Sequence, residues 1–232
     1  LNDVNSCLKN YPENSLLLNI SGACNAGLGN FDDAVILYQK AIEIKPDYAK
    51  AHYNLAITLE DLGQLDDAEK SYKTSIEIEP SHAESHNNLG NVYRNLQQSE
   101  DAINSYKKAI QINPNYVEAL YSLSNILQNF DDQIAIDCLE KVINIKPNFI
   151  EAHNNLGIIY KNQGRLPEAV QAYENAIAIN SNFGEAHNNL GNVYRELDQL
   201  DQAIESYKKA ISLKPDYPST YNNLGNVLKD LD

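Results

Sequence analysis

Basic residues are scarce in this sequence. The chain has 18 lysine and arginine residues against 32 aspartate and glutamate residues, which gives a formal net charge of -14 at pH 7 and an isoelectric point near 4.7. Surfaces that bind nucleic acids or anionic membranes obtain most of their affinity from lysine and arginine. The composition therefore argues against a nucleic acid or a membrane surface as the partner.

Cysteine is also scarce, and no long apolar run is present. Cys7, Cys24 and Cys138 form an odd, scattered set without CxxC spacing, which predicts free thiols in a reducing compartment and hence a cytoplasmic location. The most apolar stretch near the amino terminus, residues 16–20, is too short for a membrane span and lacks the cationic start of a signal peptide. No Gly/Ser-rich or proline-rich linker divides the chain.

Proline, in contrast, recurs at a nearly fixed spacing. The steps are 34, 34, 34, 33 and 68 residues between Pro12, Pro46, Pro80, Pro114, Pro147 and Pro215, and Ser181 stands at the middle of the longest step. Such a period indicates tandem repeats. We place six full copies at residues 15–48, 49–82, 83–116, 117–149, 150–183 and 184–217. Residues 1–14 are then the tail of a preceding repeat, and residues 218–232 are the first helix of a further one.

Each copy has the apolar period of two amphipathic helices. In the sixth copy, His187, Leu190, Gly191 and Tyr194 recur at helical spacing, and a second such pattern runs through residues 203–211. The proline that closes a copy cannot continue the helical hydrogen bonds, so the second helix ends there. Because a single helix hairpin cannot bury its apolar stripe, the copies must stack on one another. The sequence therefore predicts one all-α solenoid over residues 1–232.

These features resemble the tetratricopeptide repeat (TPR) family over essentially the whole chain. The repeat length, the Leu190-Gly191 pair, Ala203 followed by Tyr207, and the closing Pro215 all match that family's pattern. One departure is that histidine stands where the family has an aromatic residue, at His52, His86, His153 and His187. The resemblance implies a right-handed superhelix of helix pairs, with the first helices lining a concave surface that binds a protein or peptide.

The repeat pattern is interrupted at two places. The fourth copy lacks one residue, which we place in the turn near residues 130–132, and it has Leu139 and Val142 where other copies have tyrosine and alanine. The join at residues 180–184 has no proline and carries Gly184. These departures are either neutral drift with repacking or hinges that shape the binding groove.

Both ends of the chain bear on its organisation. The sequence begins at Leu1 rather than at methionine, and its last helix leaves Leu224, Val227 and Leu228 on an open face. Repeat arrays normally need polar capping elements. We therefore expect a fragment of a longer protein, with self-association through the open terminal helices as the alternative.

No catalytic or cofactor motif emerges from the repeat. There is no Ser-His-Asp set, phosphate-binding loop or carboxylate pair. The repeated histidines are one copy apart and predicted to lie in the core, so they cannot share a metal ion. His82 and His86 are four residues apart, but the pattern turns His86 inward. We expect a chain that is not an enzyme and that has no cofactor and no metal.

Asparagine is concentrated on the side of the first helices opposite the apolar stripe. At 100° per residue, three neighbouring columns lie on that side. The first is Asn54, Asn88, Ser122, Asn155, Asn189 and Asn223; the second is Tyr53, Asn87, Tyr121, Asn154, Asn188 and Asn222; the third is Ile57, Asn91, Asn125, Ile158, Asn192 and Asn226. We call this surface the asparagine face.

So many asparagines within helices need an explanation, because asparagine is a weaker helix former than alanine by about 0.5 kcal/mol. A carboxamide offers both donors and an acceptor, which suits the backbone of an extended peptide. The first column also resembles the asparagine ladder of the O-GlcNAc transferases, and that resemblance implies a peptide-binding role for Asn54, Asn88, Asn155, Asn189 and Asn223, with Ser122 as an interruption. The alternatives are that the amides only bond between adjacent repeats, or that they reflect shared TPR ancestry without a ligand.

Other residues of the same surface suggest how a ligand would be held. Tyr53 and Tyr121 are candidate aromatic anchors. The first helices end in cations at Arg94, Lys161, Arg195 and Lys229, which either complement the helix dipole or form a basic rim for acidic ligand side chains. The lysines that some TPR proteins use to clamp terminal carboxylates are replaced here by asparagine or tyrosine, so that clamp is not expected.

Three functions remain in consideration. The first is a protein-interaction module that binds an extended segment in an asparagine-lined groove. The second is the substrate-recognition arm of a larger, glycosyltransferase-like enzyme. The third is a scaffold that assembles through its open ends.

Overall fold

The computed structural model describes residues 8–128 and 130–230. In that part of the chain every regular element is an α-helix, and no strand is found. Most helices pair into hairpins, and most second helices pack on the first helix of the next pair. The predicted fold class, an all-α solenoid of tandem helix hairpins, is confirmed.

The helix bounds follow the predicted copies. The first helices are α1 (Ser15–Gly27), α3 (Ala49–Asp61), α5 (Ala83–Asn95), α7 (Val117–Leu127), α9 (Ile150–Asn162), α11 (Gly184–Glu196) and α13 (Pro218–Asp230). The second helices are α2 (Phe31–Ile44), α4 (Leu65–Ile78), α6 (Ser99–Ile112), α8 (Asp132–Ile145), α10 (Leu166–Ile179) and α12 (Leu200–Leu213). Two compact units are present, Leu1–Ser122 and Leu123–Asp232.

A tyrosine on the second helix and a small residue on the first helix set the spacing inside most pairs. Tyr173 is fully buried, and a Cβ atom added to Gly157 would lie 2.5 Å from its ring atom Cε1. The same close approach occurs between Gly22 and Tyr38, Gly90 and Tyr106, and Gly191 and Tyr207. Glycine is therefore needed at this position for the tyrosine ring to lie against the backbone of the first helix.

The fourth copy has different residues at the glycine and tyrosine positions. Ser124 replaces the glycine and Leu139 replaces the tyrosine, and both side chains are buried. The residue that this copy lacks was predicted to be lost from the turn. The helix α7 has 11 residues, whereas the first helices α5 and α9 each have 13, and residue 129 of the turn lies outside the described residues, so the place of the loss stays a prediction. The Asp131 side chain then caps α8 by accepting a hydrogen bond from the Ile134 backbone N–H at 3.2 Å.

The turns inside the hairpins contain a residue with left-handed backbone geometry. Gly63 and Gly164 have φ values of 73° and 72°, but Gln97 occupies the equivalent turn with φ of 61°. Left-handed geometry costs a residue with a Cβ atom roughly 1 kcal/mol, which glycine avoids. The turn after α5 is therefore strained by its side chain.

We expect the substitution Gln97→Gly to raise the free energy of unfolding by about 0.5–1 kcal/mol, because it removes that strain. Urea denaturation of the variant and the parent chain measures the change. The matched control is Gly63→Gln, which introduces the same strain in the preceding copy and should destabilise. An unchanged or lower stability of the Gln97→Gly variant would contradict this account.

Two of the three cysteines lie in the described part of the chain. Cys24 is half-buried and Cys138 is buried, and neither forms a disulfide there, while Cys7 lies outside the described residues. Among the described residues, no helix combines the length and the apolar character needed to cross a membrane.

Candidate functional site

The predicted site residues all lie on first helices, but they differ in exposure. The half-buried ones are Tyr53, Asn54, Asn88, Asn91, Tyr121, Asn125, Asn155, Asn189, Asn192 and Asn223. Asn87, Asn154 and Asn188 are buried, with 5–6% of their surface exposed. Arg94 and Arg195 are exposed. The three buried asparagines of the second column are thus part of the packing between helices, whereas the half-buried residues of the three columns are within reach of a ligand.

In the unit Leu123–Asp232, asparagines of consecutive first helices are hydrogen-bonded to one another. The Asn155 amide donates to Asn125 Oδ1 at 2.8 Å, and the Asn189 amide donates to Asn154 Oδ1 at 3.2 Å. The Asn223 amide donates in turn to Asn188 Oδ1 at 3.4 Å. Each bond joins one repeat to the next, so the chain of amides fixes the orientation of these side chains.

In the unit Leu1–Ser122 the same chain is present but broken. The Asn54 amide donates to Asn19 Oδ1 at 3.0 Å, and the Asn88 amide donates to the Tyr53 hydroxyl oxygen at 3.3 Å. Asn87 Oδ1 is buried without a hydrogen-bond partner. The equivalent oxygens of Asn154 and Asn188 accept from the next asparagine of the first column, where this unit has Ser122. The predicted interruption therefore leaves one buried acceptor unsatisfied.

The buried tyrosines of the second helices reach the asparagine face with their hydroxyl groups. Tyr106 donates to Asn91 Oδ1 and Tyr207 donates to Asn192 Oδ1, both at 2.8 Å. Burial raises the pKa of Tyr207 to about 12, so its hydroxyl is a donor at neutral pH. The apolar period treated these tyrosines only as core residues. Their spacing of 15 residues after an asparagine is the signal that would have indicated the hydrogen bond.

In the second copy, Ile57 stands at the asparagine position, and the hydroxyl of Tyr72 finds another acceptor. It donates to Glu60 Oε2 at 3.1 Å. Burial raises the pKa of Glu60, while the Tyr72 hydroxyl and the positive charge of Arg94 lower it. A carboxylate therefore lies on the asparagine face of this unit, close to the cation of the following copy. Sequence reasoning missed Glu60.

The amides of the first column differ in how far these bonds use them. Asn88 donates one hydrogen bond, accepts one from Asn87 at 3.1 Å, and also bonds the Tyr72 hydroxyl. Asn189 donates one and accepts one, from Asn188 at 3.4 Å. A carboxamide has two N–H donors and two lone pairs on its oxygen. The half-buried Asn189 side chain therefore keeps one donor and one acceptor for another molecule.

The cations at the helix ends border a cavity in the second unit. Its volume is about 660 Å³, and its lining is Lys161, Asn192, Arg195, Glu196, Asp198, Leu200 and Asn223. Lys161 forms an ion pair with Glu196 at 2.8 Å. Two predicted ligand-binding residues, Asn192 and Arg195, thus share one cavity with a lysine from the preceding first helix.

The repeated histidines form a bond between copies. The Nε2 atoms of His52, His86, His153 and His187 lie 2.9–3.0 Å from the backbone oxygens of Pro46, Pro80, Pro147 and Ser181. His86 and His153 are buried, whereas His52 and His187 are half-exposed. Burial lowers the pKa of His86. Over the described residues, no cluster of three or more histidine, cysteine or acidic side chains could hold a metal ion.

Comparison with known families agrees with this architecture. The family profile described as TPR repeat matches residues 27–63, 133–164, 159–197 and 191–232, which together are more than half of the chain. A second profile, described as Tetratricopeptide repeat, matches residues 49–82 and 83–116. Among curated proteins, none matches this chain significantly.

Several solved structures share this arrangement of helices, and three of them differ in their sequence identity to this chain. MamA is 29% identical, with a TM-score of 0.66 over 69% of this chain and 94% of that chain. YrrB, described as a TPR protein with an unusual peptide-binding site, is 25% identical, with a TM-score of 0.71 over 80% of this chain and 96% of that chain.

The third, PilF of Pseudomonas aeruginosa, is 17% identical, with a TM-score of 0.73 over 93% of this chain and 97% of that chain, and it supports the fold alone. The profile matches, the 34-residue period and the helix pairs agree with one another. The chain belongs to the tetratricopeptide repeat family.

Proposed function

We propose that this chain binds an extended segment of another polypeptide along the asparagine face. Members of the family form scaffolds for protein binding, and this chain has the same helix pairs. The partner lies on the asparagine face and is held there by hydrogen bonds. The amides of the first column bind the partner's backbone, and its side chains have little influence on that contact.

The observation that carries this proposal is the unused hydrogen-bonding capacity of a half-buried amide. Asn189 keeps one N–H donor and one oxygen lone pair after its bonds to neighbouring residues. A peptide unit offers one N–H donor and one C=O acceptor. One free donor and one free acceptor on the same side chain match those two groups.

The bonds between repeats support binding because they fix the amides in advance. A side chain that is already held in one orientation loses little conformational entropy when a ligand arrives. The two explanations for the asparagines, bonding between repeats and binding of a peptide, are therefore compatible. First helices about 10 Å apart would place one amide at about every third residue of an extended strand, which rises about 3.4 Å per residue.

A similar protein gives independent support. YrrB, which is 25% identical over 80% of this chain, is described as having a peptide-binding site. Peptide binding by a chain of this repeat type is thus compatible with the proposal. The asparagine face, rather than the opposite surface, is assigned here from the half-buried amides alone.

The test compares binding of an array of unstructured peptides by the parent chain and by the variant Asn88→Ala, Asn155→Ala, Asn189→Ala. We expect the parent chain to bind peptides with little dependence on their sequence, and we expect the variant to lose at least about tenfold in affinity, because three backbone contacts disappear. Fluorescence anisotropy gives the Kd values, and circular dichroism checks that the variant is folded.

The matched control is the variant Asn104→Ala, Asn144→Ala, Asn175→Ala. These three asparagines are exposed and lie on the second helices α6, α8 and α10. The control should bind as the parent chain does. Equal binding by both triple variants would show that the asparagine face is not the site. If the first triple variant is unfolded, the single variants Asn88→Ala and Asn189→Ala replace it.

A further inference from the structure

One buried acceptor on the asparagine face has no hydrogen-bond partner among the residues that the structure describes. Asn87 is 5% exposed, and its Oδ1 atom is buried without a hydrogen bond, whereas its Nδ2 atom donates to Asn88 Oδ1 at 3.1 Å. A buried polar atom without a partner costs free energy, and native structures contain few of them. This oxygen therefore needs a donor from another molecule.

Other copies show which group satisfies the oxygen at this position. Asn19 Oδ1 accepts from the Asn54 amide at 3.0 Å, and Asn154 Oδ1 accepts from the Asn189 amide at 3.2 Å. In both cases the acceptor belongs to one first helix and the donor to the next first helix along the chain. The usual partner is thus a primary carboxamide from the first column of the following copy.

The copy that follows Asn87 has a serine in place of that carboxamide. Ser122 is half-buried, and its side chain is shorter than that of asparagine. Burial raises the pKa of Tyr106, while the charge of Arg94 and a hydrogen bond from Ser122 lower it. The serine hydroxyl therefore has a partner other than Asn87, and it does not replace the missing amide.

Other donors of the same surface are used in bonds of their own. The Tyr106 hydroxyl donates to Asn91 Oδ1 at 2.8 Å, and the Asn88 amide donates to the Tyr53 hydroxyl oxygen at 3.3 Å. Asn88 and Tyr53 are half-buried, as Ser122 is. A polypeptide held on the asparagine face thus passes over the position where the carboxamide is missing.

We propose that Asn87 and Ser122 form a subsite for the carboxamide of an asparagine or glutamine side chain in the bound polypeptide. This inference rests on the proposed function, because that side chain belongs to the segment that the asparagine face holds. The ligand's amide nitrogen donates to Asn87 Oδ1, as the Asn189 amide donates to Asn154 Oδ1. The ligand thereby supplies the amide that the fourth copy lacks.

The chemistry of the Asn87 oxygen selects among ligand side chains. An ionised carboxylate has no donor, so it would place one acceptor against another. A lysine ammonium donates, but it loses its hydration at a buried position, and one neutral acceptor does not compensate for that loss. A carboxamide donates without carrying a charge, and its second N–H and its oxygen remain for neighbouring groups.

The test uses three short glycine-serine peptides that carry glutamine, methionine or lysine at every third residue. Their ends are an acetyl group and an N-methylamide, so that none has a terminal primary amide. We expect the parent chain to bind the glutamine peptide about tenfold more tightly than the methionine peptide, because only glutamine satisfies the buried acceptor. Fluorescence anisotropy at high salt, which screens the net charge of the chain, gives the Kd values.

Two variants at one position assign that preference to the subsite. Ser122→Asn supplies the carboxamide from the chain itself, so it should abolish the preference for glutamine and raise the midpoint of thermal unfolding. The matched control, Ser122→Ala, supplies no amide and should keep the preference. Circular dichroism checks that each variant is folded. If Ser122→Asn does not fold, Asn87→Leu replaces it, since that change removes the acceptor and should also abolish the preference.

The outcomes separate this inference from the proposed function. Equal binding of the glutamine and methionine peptides by the parent chain, with loss of binding in the Asn88, Asn155 and Asn189 variant, would overturn the carboxamide subsite and leave the groove in place. A preference for glutamine that survives Ser122→Asn would also overturn it. If none of the three peptides binds, both proposals fail.

Two further results would assign the Asn87 oxygen to a different partner. Higher thermal stability of Ser122→Asn without any change in peptide preference would show that an internal water satisfies the oxygen, and would overturn the subsite. Tightest binding of the lysine peptide, lost in Ser122→Asn, would indicate an ammonium group as the ligand and overturn the assignment to a carboxamide.

Discussion

Replacing Tyr173 with alanine should lower the free energy of unfolding by about 3–5 kcal/mol, the usual cost of removing a large aromatic ring from a core. Tyr173 is fully buried against Gly157 of its own copy and against Ala186, Leu190 and Val193 of the next. The ring therefore connects two repeats. Its removal leaves a cavity that neither repeat can fill alone. Urea denaturation followed by circular dichroism measures the loss.

The fourth copy supplies the control for this prediction, because it has a serine and a leucine at the two positions. Gly157→Ser should be strongly destabilising in the parent chain, since the new Cβ atom would lie 2.5 Å from the tyrosine ring. In the Tyr173→Leu background the same change should cost much less, as the fourth copy buries a serine and a leucine, Ser124 and Leu139, at these two positions already. Equal costs in the two backgrounds would refute the view that these residues are coupled.

Replacing Asn188 with alanine should cost about 1–3 kcal/mol, because it removes the acceptor of a buried hydroxyl group. Thr220 is fully buried and its Oγ1 donates to Asn188 Oδ1 at 3.0 Å. Asn223 donates to the same oxygen at 3.4 Å. Thermal unfolding of the variant and the parent chain measures the difference.

A double-mutant cycle with Thr220→Ala tests this explanation. Other copies have alanine at the position of Thr220, namely Ala152 and Ala186, and both are fully buried. Removing the hydroxyl should therefore recover part of the stability that Asn188→Ala loses, since no buried donor then lacks a partner. If the double variant is as unstable as the sum of the single ones, the hydrogen bond has no special role.

The fold was predictable from the sequence because two simple physical constraints recur. Proline follows all but one of the second helices, and the alternation of small and large apolar residues identifies the faces that pack. Pro46 and Pro80, for example, are followed by the helices that begin at Ala49 and Ala83. The place of the residue missing from the fourth copy is less predictable, because a period counts residues but does not show whether a helix or a turn is shorter.

The candidate site was predictable only in part. Helical periodicity places Asn188 and Asn189 on one side of α11, but it does not show that the first is buried and the second half-buried. That difference depends on Thr220 and Asn223, which come from a helix 30 residues further along the chain. Glu60 was missed for the same reason, since its role appears only when the Tyr72 hydroxyl reaches it across the hairpin.

The connection between the fifth and sixth copies has no proline, but it has the same histidine hydrogen bond as the connections that do. A carbonyl oxygen is only an acceptor, so each histidine must carry a hydrogen on Nε2 to bond it. His187 makes this bond to Ser181 at 3.0 Å, as His86 does to Pro80. The Nε2 hydrogen is present in both the neutral and the protonated ring. The hydrogen bond from His86 is therefore compatible with a protonated ring, and acid acts on this contact through the cost of placing a charge in a buried ring, the burial that lowers the pKa of His86.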